Sequence, residues 1–362
     1  MIFPLIKKEL YQIIRDPSVF LLALFLPLML LFLYGNAMSL DIKPLKIGIA
    51  MEDSSPQALA FTLAISHSPY FDVKVSRQRE NLTQDLLSGN IRGIVIIPSY
   101  FTAFFKNLSQ KAPIQVIADG SEPNTANFVH NYVNGAWMNA LKSLRPPPAA
   151  VTIEPRFWFN EELKSRNFIL PGSLAIIMAL VGTLLTALVI AREWEKGTME
   201  ALMATSVTSF QLMIGKLIPY FILGMASMTM CIFCIEKIYG VPLRGSWFAI
   251  ELTGATFLFT ALTSGLLIST LTKNQFAAAQ ASMTVAFLPA YMLSGFIFEI
   301  SSMPITIQWI TYLLPARYFV SSLQTLFLVG DVFDLLLKNI AIMLFMGVTL
   351  FFIAIKITPK RL

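Results

Sequence analysis

The sequence predicts an α-helical integral membrane protein with six transmembrane helices and an inserted extracytoplasmic α/β domain. Of the 362 residues, 56% are hydrophobic and only 13% are charged, a composition too apolar for an ordinary soluble protein. Six apolar segments are each about as long as the roughly 20 residues that a spanning helix needs. Residues 39–167 differ from the rest, because short apolar runs there alternate with charged residues, proline, glycine and asparagine.

Short loops connect most of the predicted transmembrane helices, and their lysine and arginine residues indicate the orientation. The helices comprise residues 19–38, 168–191, 217–235, 247–271, 277–298 and 338–357. Positively charged loops are retained in the cytoplasm, and most loop bases lie on the side of both termini, including the tail 358–362. They are Lys7, Lys8, Arg15, Arg192, Lys196, Lys216, Lys273, Lys356, Lys360 and Arg361. Both termini are therefore predicted to be cytoplasmic, and the net charge of +6 reflects topology, with no nucleic-acid partner.

Residues 1–18 are predicted to form an interfacial helix on the cytoplasmic surface. Apolar residues recur at helical spacing along one side, while Lys7, Lys8 and Arg15 are available to lipid phosphates. Asp16 is a suitable N-cap with Pro17 at the first helical position, so a new helix begins there.

The second predicted transmembrane helix carries a stripe of small residues. Ala175, Ala179, Thr183 and Ala187 follow one another at four-residue spacing. Small residues let a neighbouring helix approach closely, so the stripe is interpreted first as a packing face. A pore-lining role for the same stripe remains open.

The inserted domain, residues 39–167, alternates strand-like and helix-like runs, which predicts a small α/β fold. The strand-like runs are residues 46–51, 71–76, 92–98, 114–119 and 151–157, and the helix-like runs are 57–66, 80–88, 99–109 and 124–144. A stiff connector follows at Pro146, Pro147 and Pro148. The histidines His67 and His130 are far apart and lack a carboxylate cluster nearby, so no metal site is predicted.

Residues 192–216 form a compact charged segment between the second and third transmembrane helices. Gly197 interrupts the helix, and Thr198 is a candidate cap for a new one. Lys216 ends the segment at the next membrane entry. This position and composition are typical of an intracellular docking element, although an ordinary solvated loop has the same composition.

The motifs of this segment resemble those of the ABC-2 type transporter permeases. The pattern R-E-x-E-x-G-T-x-E-x-L is followed by G-K-L-x-P-Y beginning at Gly215, and the order matches that of the family. The stretch 293–319 is similar to the family's outer re-entrant region, and residues 97–101 with 114–126 are similar to the soluble domain of its drug-exporter-like branch. That branch has a large periplasmic domain between the first two transmembrane helices. Ser206 and Glu299 depart from the family pattern, each standing where proline is common.

The resemblance implies a permease subunit of an ATP-binding cassette exporter in the bacterial inner membrane. It would move a drug-like, lipid-like or other amphiphilic substrate out of the cytoplasm or inner membrane. A second permease copy, identical or paralogous, and a cytoplasmic ATPase subunit are the implied partners, with a periplasmic membrane-fusion adaptor as a further candidate. The residues implied in coupling to the ATPase are Arg192, Glu193, Glu195, Gly197, Thr198, Glu200, Leu202 and Lys216.

No nucleotide site is predicted in the chain itself. The P-loop pattern G-x-x-x-x-G-K-[ST] is absent, since Gly215 and Lys216 precede Leu217 at a membrane entry. The chain is therefore predicted to be no enzyme and to hold no cofactor, with ATP and magnesium used by the partner ATPase.

Residues 299–334 are predicted to form a re-entrant or interfacial region on the outer side. Ionisable residues at membrane depth are functional candidates, and the candidates for a translocation gate are Glu251, Glu299, Pro304, Pro315 and Arg317. For the two carboxylates, contact with water or pairing with Lys237, Arg244 or Arg317 remains open.

A second function class also fits the sequence. The chain would then be a membrane-anchored sensor or assembly protein whose periplasmic domain binds a partner. The absence of a cytoplasmic signalling domain disfavours it, and the absence of a catalytic triad or metal-spaced cluster disfavours a membrane-embedded enzyme.

Overall fold

The computed structural model describes residues 2–37, 44–68, 70–106, 114–118, 123–144, 160 and 164–358. These residues form two compact units, one from residues 1–40 with 157–362 and the other from residues 41–156. The first unit is helical and the second is a small α/β fold, as the sequence predicts. The predicted strand 151–157 and the connector 146–148 lie outside the described residues.

The first unit begins with two helical segments separated at Asp16. Helix α1 spans Ile2–Arg15, α2 spans Pro17–Phe20, a π-helical turn spans Leu21–Phe25, and α3 spans Leu26–Ala37. Asp16 Oδ1 accepts a hydrogen bond from the Ser18 amide at 3.0 Å, with Pro17 in the first turn. The predicted break and N-cap are therefore confirmed.

The α/β unit contains a four-stranded sheet with the order β2-β1-β3-β4. Its elements are β1 Leu45–Met51, α4 Pro56–Ser66, β2 Phe71–Ser76, α5 Arg79–Leu87, β3 Gly93–Ile97, α6 Phe101–Lys106, β4 Gln115–Ala118 and α7 Pro123–Leu144. Strand β1 is parallel to β2 and β3, whereas β4 is antiparallel to β3. Each strand lies within one residue of its predicted limits, because β-branched runs such as Ile94 to Ile97 are buried in the centre of the sheet.

The remainder of the first unit is a helical assembly. Its elements are α8 Arg166–Glu195, α9 Thr198–Met203, α10 Ser209–Lys237, α11 Trp247–Thr272, α12 Gln275–Ala281, a π-helical turn Ser282–Phe287, α13 Leu288–Leu293, a 3-10 turn Ile300–Ser302, α14 Ile305–Thr311, α15 Pro315–Leu328 and α16 Phe333–Ile357. Among the described residues, six helical stretches are long and apolar enough to cross a membrane: Pro17–Asn36, Arg166–Glu195, Ser209–Lys237, Trp247–Thr272, Gln275–Leu293 and Phe333–Ile357.

Three limits of the spanning helices differ from the predicted ones by five residues or more. Helix α10 begins at Ser209 rather than at residue 217, because Thr208 Oγ1 accepts from the Gln211 amide while Gln211 Oε1 accepts from the Thr208 amide, both at 3.2 Å. Lys216, predicted to end the connecting segment, therefore lies inside α10. The fifth spanning stretch ends at Leu293 rather than at residue 298, since Gly295 turns the chain with φ 89°. The sixth begins at Phe333 rather than at 338.

Helix α8 is the centre of the helical unit, and its main partner is α11. The predicted small-residue stripe of α8 is buried, which confirms it as a packing face. The closest approach lies at Gly265 of α11, where an added Cβ would overlap Thr186 Oγ1 and the Thr183 carbonyl oxygen. Thr186 Oγ1 also donates to the Leu262 carbonyl at 2.7 Å, so the two helices are joined by a hydrogen bond as well as by packing.

Substitution of Gly265 by alanine should separate α8 from α11. Because the extra methyl group meets backbone rather than a flexible side-chain end, we expect a loss of about 1–3 kcal/mol in stability. The measurement is the midpoint of thermal unfolding in detergent. Gly135→Ala in α7 is the control, since its Cβ would meet no atom within 4 Å. Equal midpoints for the Gly265→Ala variant and wild type would contradict the close crossing.

Candidate functional site

Four charged side chains from three helices meet at the end of α8 that precedes α9. Lys216 Nζ of α10 lies 2.8 Å from Glu9 Oε1 of α1 and 3.1 Å from Glu193 Oε1 of α8. Lys8 Nζ of α1 lies 2.6 Å from the same Glu193 oxygen. Lys216, Glu9 and Glu193 are 1%, 2% and 4% exposed. These three residues and Lys8, termed the four-charge cluster, are neutral in sum. All but Lys8, whose side chain is 43% exposed, are almost removed from solvent.

Close packing of α1 on α10 brings the cluster together. A Cβ added at Gly215 would lie 2.9 Å from Leu5 Cβ, so only glycine permits this approach. Leu5, Glu9 and Ile13 follow one another at four-residue spacing and share a face of α1. Glu9 therefore lies on the apolar face of α1, and the packing of α1 on α10 places it next to Lys216.

The pKa values of Lys8 and Asp16 are both shifted in the direction that favours the charged form. Burial lowers the pKa of the Lys8 ammonium, but the hydrogen bond to Glu193 and the negative charges of Glu9 and Glu193 outweigh this effect, and the net pKa is raised. Lys8, predicted to face lipid phosphates, is thus an ion-pair partner of Glu193. Hydrogen bonds from Ser18, together with Arg192 at 2.6 Å from Asp16 Oδ2, hold the pKa of the Asp16 carboxyl below its usual range.

The turn from α8 into α9 depends on Gly197. Its φ of 68° lies in the left-handed region that favours glycine, and it occupies the N-cap position of α9. Thr198 is predicted to cap α9, but its hydroxyl instead donates a hydrogen bond to the Glu193 carboxylate. Gly197 breaks the helix, as the sequence predicts. Gly197 rather than Thr198 occupies the N-cap position of α9, and the threonine hydroxyl binds the four-charge cluster instead.

The predicted acidic residues of this segment have different surroundings. Glu193 is buried in the cluster, so it is not part of an exposed face. Glu195 is exposed but accepts hydrogen bonds from the backbone and side-chain nitrogens of Gln275, at the start of α12. Glu200 is exposed on α9, and Leu202 is partly buried. Of the three carboxylates, only Glu200 has no hydrogen-bond or ion-pair partner among the described residues.

A cleft of about 740 Å³ separates α1 from the α8–α9 turn. Its charged lining comprises Lys8, Arg15, Asp16, Arg192, Glu193 and Lys196. This surface, termed the basic cleft, has four cations against two anions.

The five predicted gate residues do not form one site. Glu251 accepts a hydrogen bond from Thr229 at 2.8 Å, and Glu299 accepts one from Ser301 at 2.6 Å, so neither pairs with the bases proposed from the sequence. Pro304 and Pro315 stand at the starts of α14 and α15.

Arg317 joins α15 to α14. Its guanidinium lies 3.8 Å from the centroid of the Tyr312 ring and donates to Thr311. It therefore links the two helices, and none of its described partners is a carboxylate.

An apolar cavity of about 380 Å³ lies among α8, α11, α13, α15, α16 and the second π-helical turn. Ala179 and Thr183 of the small-residue stripe contribute to its lining, so the stripe borders a cavity as well as packing. The hydroxyl of Thr183 is bonded to the Ala179 carbonyl, and that of Thr349 to the Phe345 carbonyl. Because the lining offers few free polar groups, the cavity suits an apolar group. Within the described residues, no group of three or more histidine, cysteine or acidic side chains could hold a metal ion.

Comparisons with known proteins place these features in a family. Residues 17–356 match the model of the ABC-2 family transporter proteins. The chain is 47% identical over 353 residues to the probable multidrug ABC transporter permease YbhS of Escherichia coli strain K12, covering 94% of this chain and 93% of that protein. It is 26% identical over 343 residues to the probable multidrug ABC transporter permease YbhR of the same strain, with 94% and 93% covered. It is also 26% identical over 374 residues to the inner membrane transport permease YhhJ, with 98% and 96% covered.

Replacement of Lys216 by methionine should destabilise the helical unit more than replacement of Lys8. The first change leaves buried Glu9 with only the partly exposed Lys8, 3.4 Å from Glu9 Oε1, as a cationic partner, and breaking a buried ion pair costs about 3–5 kcal/mol. Lys8→Met leaves Glu193 paired with Lys216, and the Lys8 side chain is 43% exposed, so we expect about 1 kcal/mol or less. Thermal unfolding in detergent compares the two variants. Equal midpoints would refute the assignment of Lys216 as the central charge. The double variant Lys216→Met/Glu9→Gln should recover part of the stability that Lys216→Met loses, because it also removes the charge of Glu9.

Proposed function

The chain belongs to the ABC-2 family of transporter permeases, and on that premise we propose that it is the membrane subunit of an exporter driven by a separate ATPase that contacts the α8–α9 turn. Hydrolysis of ATP, with magnesium, would take place on that partner. Both termini and α9 would then lie in the cytoplasm of a bacterial cell, and the α/β unit in the periplasm. A second permease copy, identical or paralogous, would complete the transport path, and a periplasmic adaptor is a further candidate partner.

The observation that carries this proposal is the four-charge cluster. It joins α1, the end of α8 and the start of α10 directly beside α9. A partner that displaces α9 would therefore move three helices together, because separating them would leave buried charges unpaired. A solvated loop without such a connection could not transmit force to the spanning helices.

The substrate class that fits best is an amphiphile with a substantial apolar part. The apolar cavity beside α8 supports this choice, since its lining hydroxyls are bonded to their own helices. Two relatives are named probable multidrug permeases, which supports export of more than one compound.

Two measurements test the function. The tagged chain, purified from its native membrane in mild detergent, should co-purify with an ATPase that contains a P-loop. Inside-out vesicles that hold both proteins should accumulate ethidium or a fluorescent phospholipid only when ATP is present. Failure to recover an ATPase would instead favour the membrane-anchored sensor or assembly protein.

Substitution of Gly197 by valine should uncouple ATP hydrolysis from export. A β-branched residue at positive φ adds about 1–3 kcal/mol of strain, which α9 would relieve by reorienting. We expect export to fall about tenfold or more while ATP hydrolysis continues. Gly197→Asn is the matched control, because asparagine tolerates the left-handed region. Export at the wild-type rate by the valine variant would exclude this turn from coupling.

A further inference from the structure

The α/β unit contains a cavity of about 210 Å³ between α7 and β4. Two of its lining residues, Phe61 of α4 and Val133 of α7, are only 0% and 3% exposed, so they lie at its base. Ile114 and Val116 line the side towards β4, and Trp137 lines the side towards α7. The inner part of the cavity is therefore entirely apolar.

Two polar side chains stand at the rim of this cavity. His130 and Asn134 are both exposed, and their four-residue spacing places them on one face of α7. Neither has a hydrogen-bond or ion-pair partner among the residues that the structure describes. An imidazole ring and an amide group each have nitrogen or oxygen atoms that exchange hydrogen bonds with a ligand. These two residues and the five apolar ones are together termed the α7 pocket.

The lining of the α7 pocket favours a neutral aromatic compound. None of the seven lining residues is aspartate, glutamate, lysine or arginine, so an ionised group would lose water there without gaining an ion pair. The rings of Phe61 and Trp137 meet edge to face, with centroids 5.1 Å apart and an interplanar angle of 83°. A further ring placed against them gains the same kind of contact.

The volume of the α7 pocket limits the size of that compound. Pockets for drug-sized ligands usually measure about 300–1,000 Å³, and this one is smaller. It suits a compound of one ring or two fused rings. Because both polar side chains belong to α7, a single hydroxyl or amide group on one edge of the ring can reach the polar part of the rim. Phenols and naphthols combine these properties.

We propose that the α7 pocket binds a small neutral aromatic compound, with its ring against Phe61 and Trp137 and its hydroxyl or amide group bonded at the rim to His130 and Asn134. The site lies wholly within the α/β unit and shares no residue with the four-charge cluster or the apolar cavity. The α/β unit is then a small-molecule binding domain. This inference goes beyond the proposed function and holds whether or not an ATPase is recovered with the chain.

The chain has only two histidines, which gives the test a site-specific readout. Diethyl pyrocarbonate modifies accessible imidazole rings, and mass spectrometry measures the rate at each of them. His130 reports on the α7 pocket, and His67 is the internal control, since it is exposed but does not line the pocket. The full chain, purified without a histidine tag and placed in nanodiscs, is treated with the reagent at increasing concentrations of β-naphthol.

We expect saturating β-naphthol to slow the modification of His130 about fivefold or more, because a bound ligand is largely enclosed by its pocket. The rate at His67 should not change. The anion β-naphthoate should protect neither histidine, since its carboxylate finds no cationic side chain in the lining. Absence of protection at His130, equal protection at both histidines, or stronger protection by β-naphthoate would each overturn the proposal.

The variant Asn134→Leu tests recognition at the rim, with Asn131→Leu as the matched control. Both asparagines are exposed on α7, but only Asn134 lines the pocket. We expect Asn134→Leu to raise the concentration of β-naphthol at half-protection about fivefold, because the ligand hydroxyl loses a partner, and Asn131→Leu to leave it unchanged. The compound β-methylnaphthalene lacks the hydroxyl and should protect His130 in Asn134→Leu at least as well as in wild type. An unchanged β-naphthol midpoint in Asn134→Leu, or loss of protection by both compounds, would overturn the role of the polar rim.

Discussion

The burial of the Lys216 ammonium constrains how three helices of the helical unit are arranged. An isolated charge cannot be kept out of water at this degree of burial, so it requires carboxylates within ion-pair distance. Glu9 and Glu193 meet that requirement from two different helices. The consequence is geometric as well as energetic. Helix α1 cannot separate from α10, and α8 cannot slide past α10, without leaving a buried charge unpaired.

The constraint extends into the membrane through the pairing of α8 with α11. Ser269 Oγ of α11 accepts hydrogen bonds from the amides of Ile190 and Ala191 at 3.0 and 2.8 Å, directly before the charged end of α8. Thr186 and Gly265 join the same helices further along. Interhelical hydrogen bonds of this kind, combined with close packing of small residues, favour movement of two helices as one body. A displacement at Glu193 would therefore be shared by α11.

The sequence predicts the helices, the strands and the break at Asp16 because each depends on local patterns of hydrophobicity and capping. It also contained two signals that were missed. Thr208 and Gln211 form a capping box, which places the start of α10 before Lys216. Glu9 interrupts the apolar face of α1, where a lone carboxylate indicates a buried cation elsewhere. The identity of that cation could not be predicted, since Lys216 lies 207 residues away and only the tertiary packing of α1 on α10 brings it near.

The same arrangement connects the candidate coupling site to the apolar cavity. Thr183 borders the cavity and Glu193 belongs to the four-charge cluster, and both lie on α8 about 15 Å apart along the helix axis at 1.5 Å per residue. Phe257 and Ala261 line the cavity from α11, the helix joined to α8. Helices α13 and α16 complete the lining from stretches that are mostly unburied within this chain. Helix α16 is also joined to α11, since Thr260 Oγ1 donates to the Met343 carbonyl at 2.8 Å. A movement that carries α8, α11 and α16 together past α13 would therefore change the shape of the cavity, which is the change that the proposed release of an apolar substrate requires.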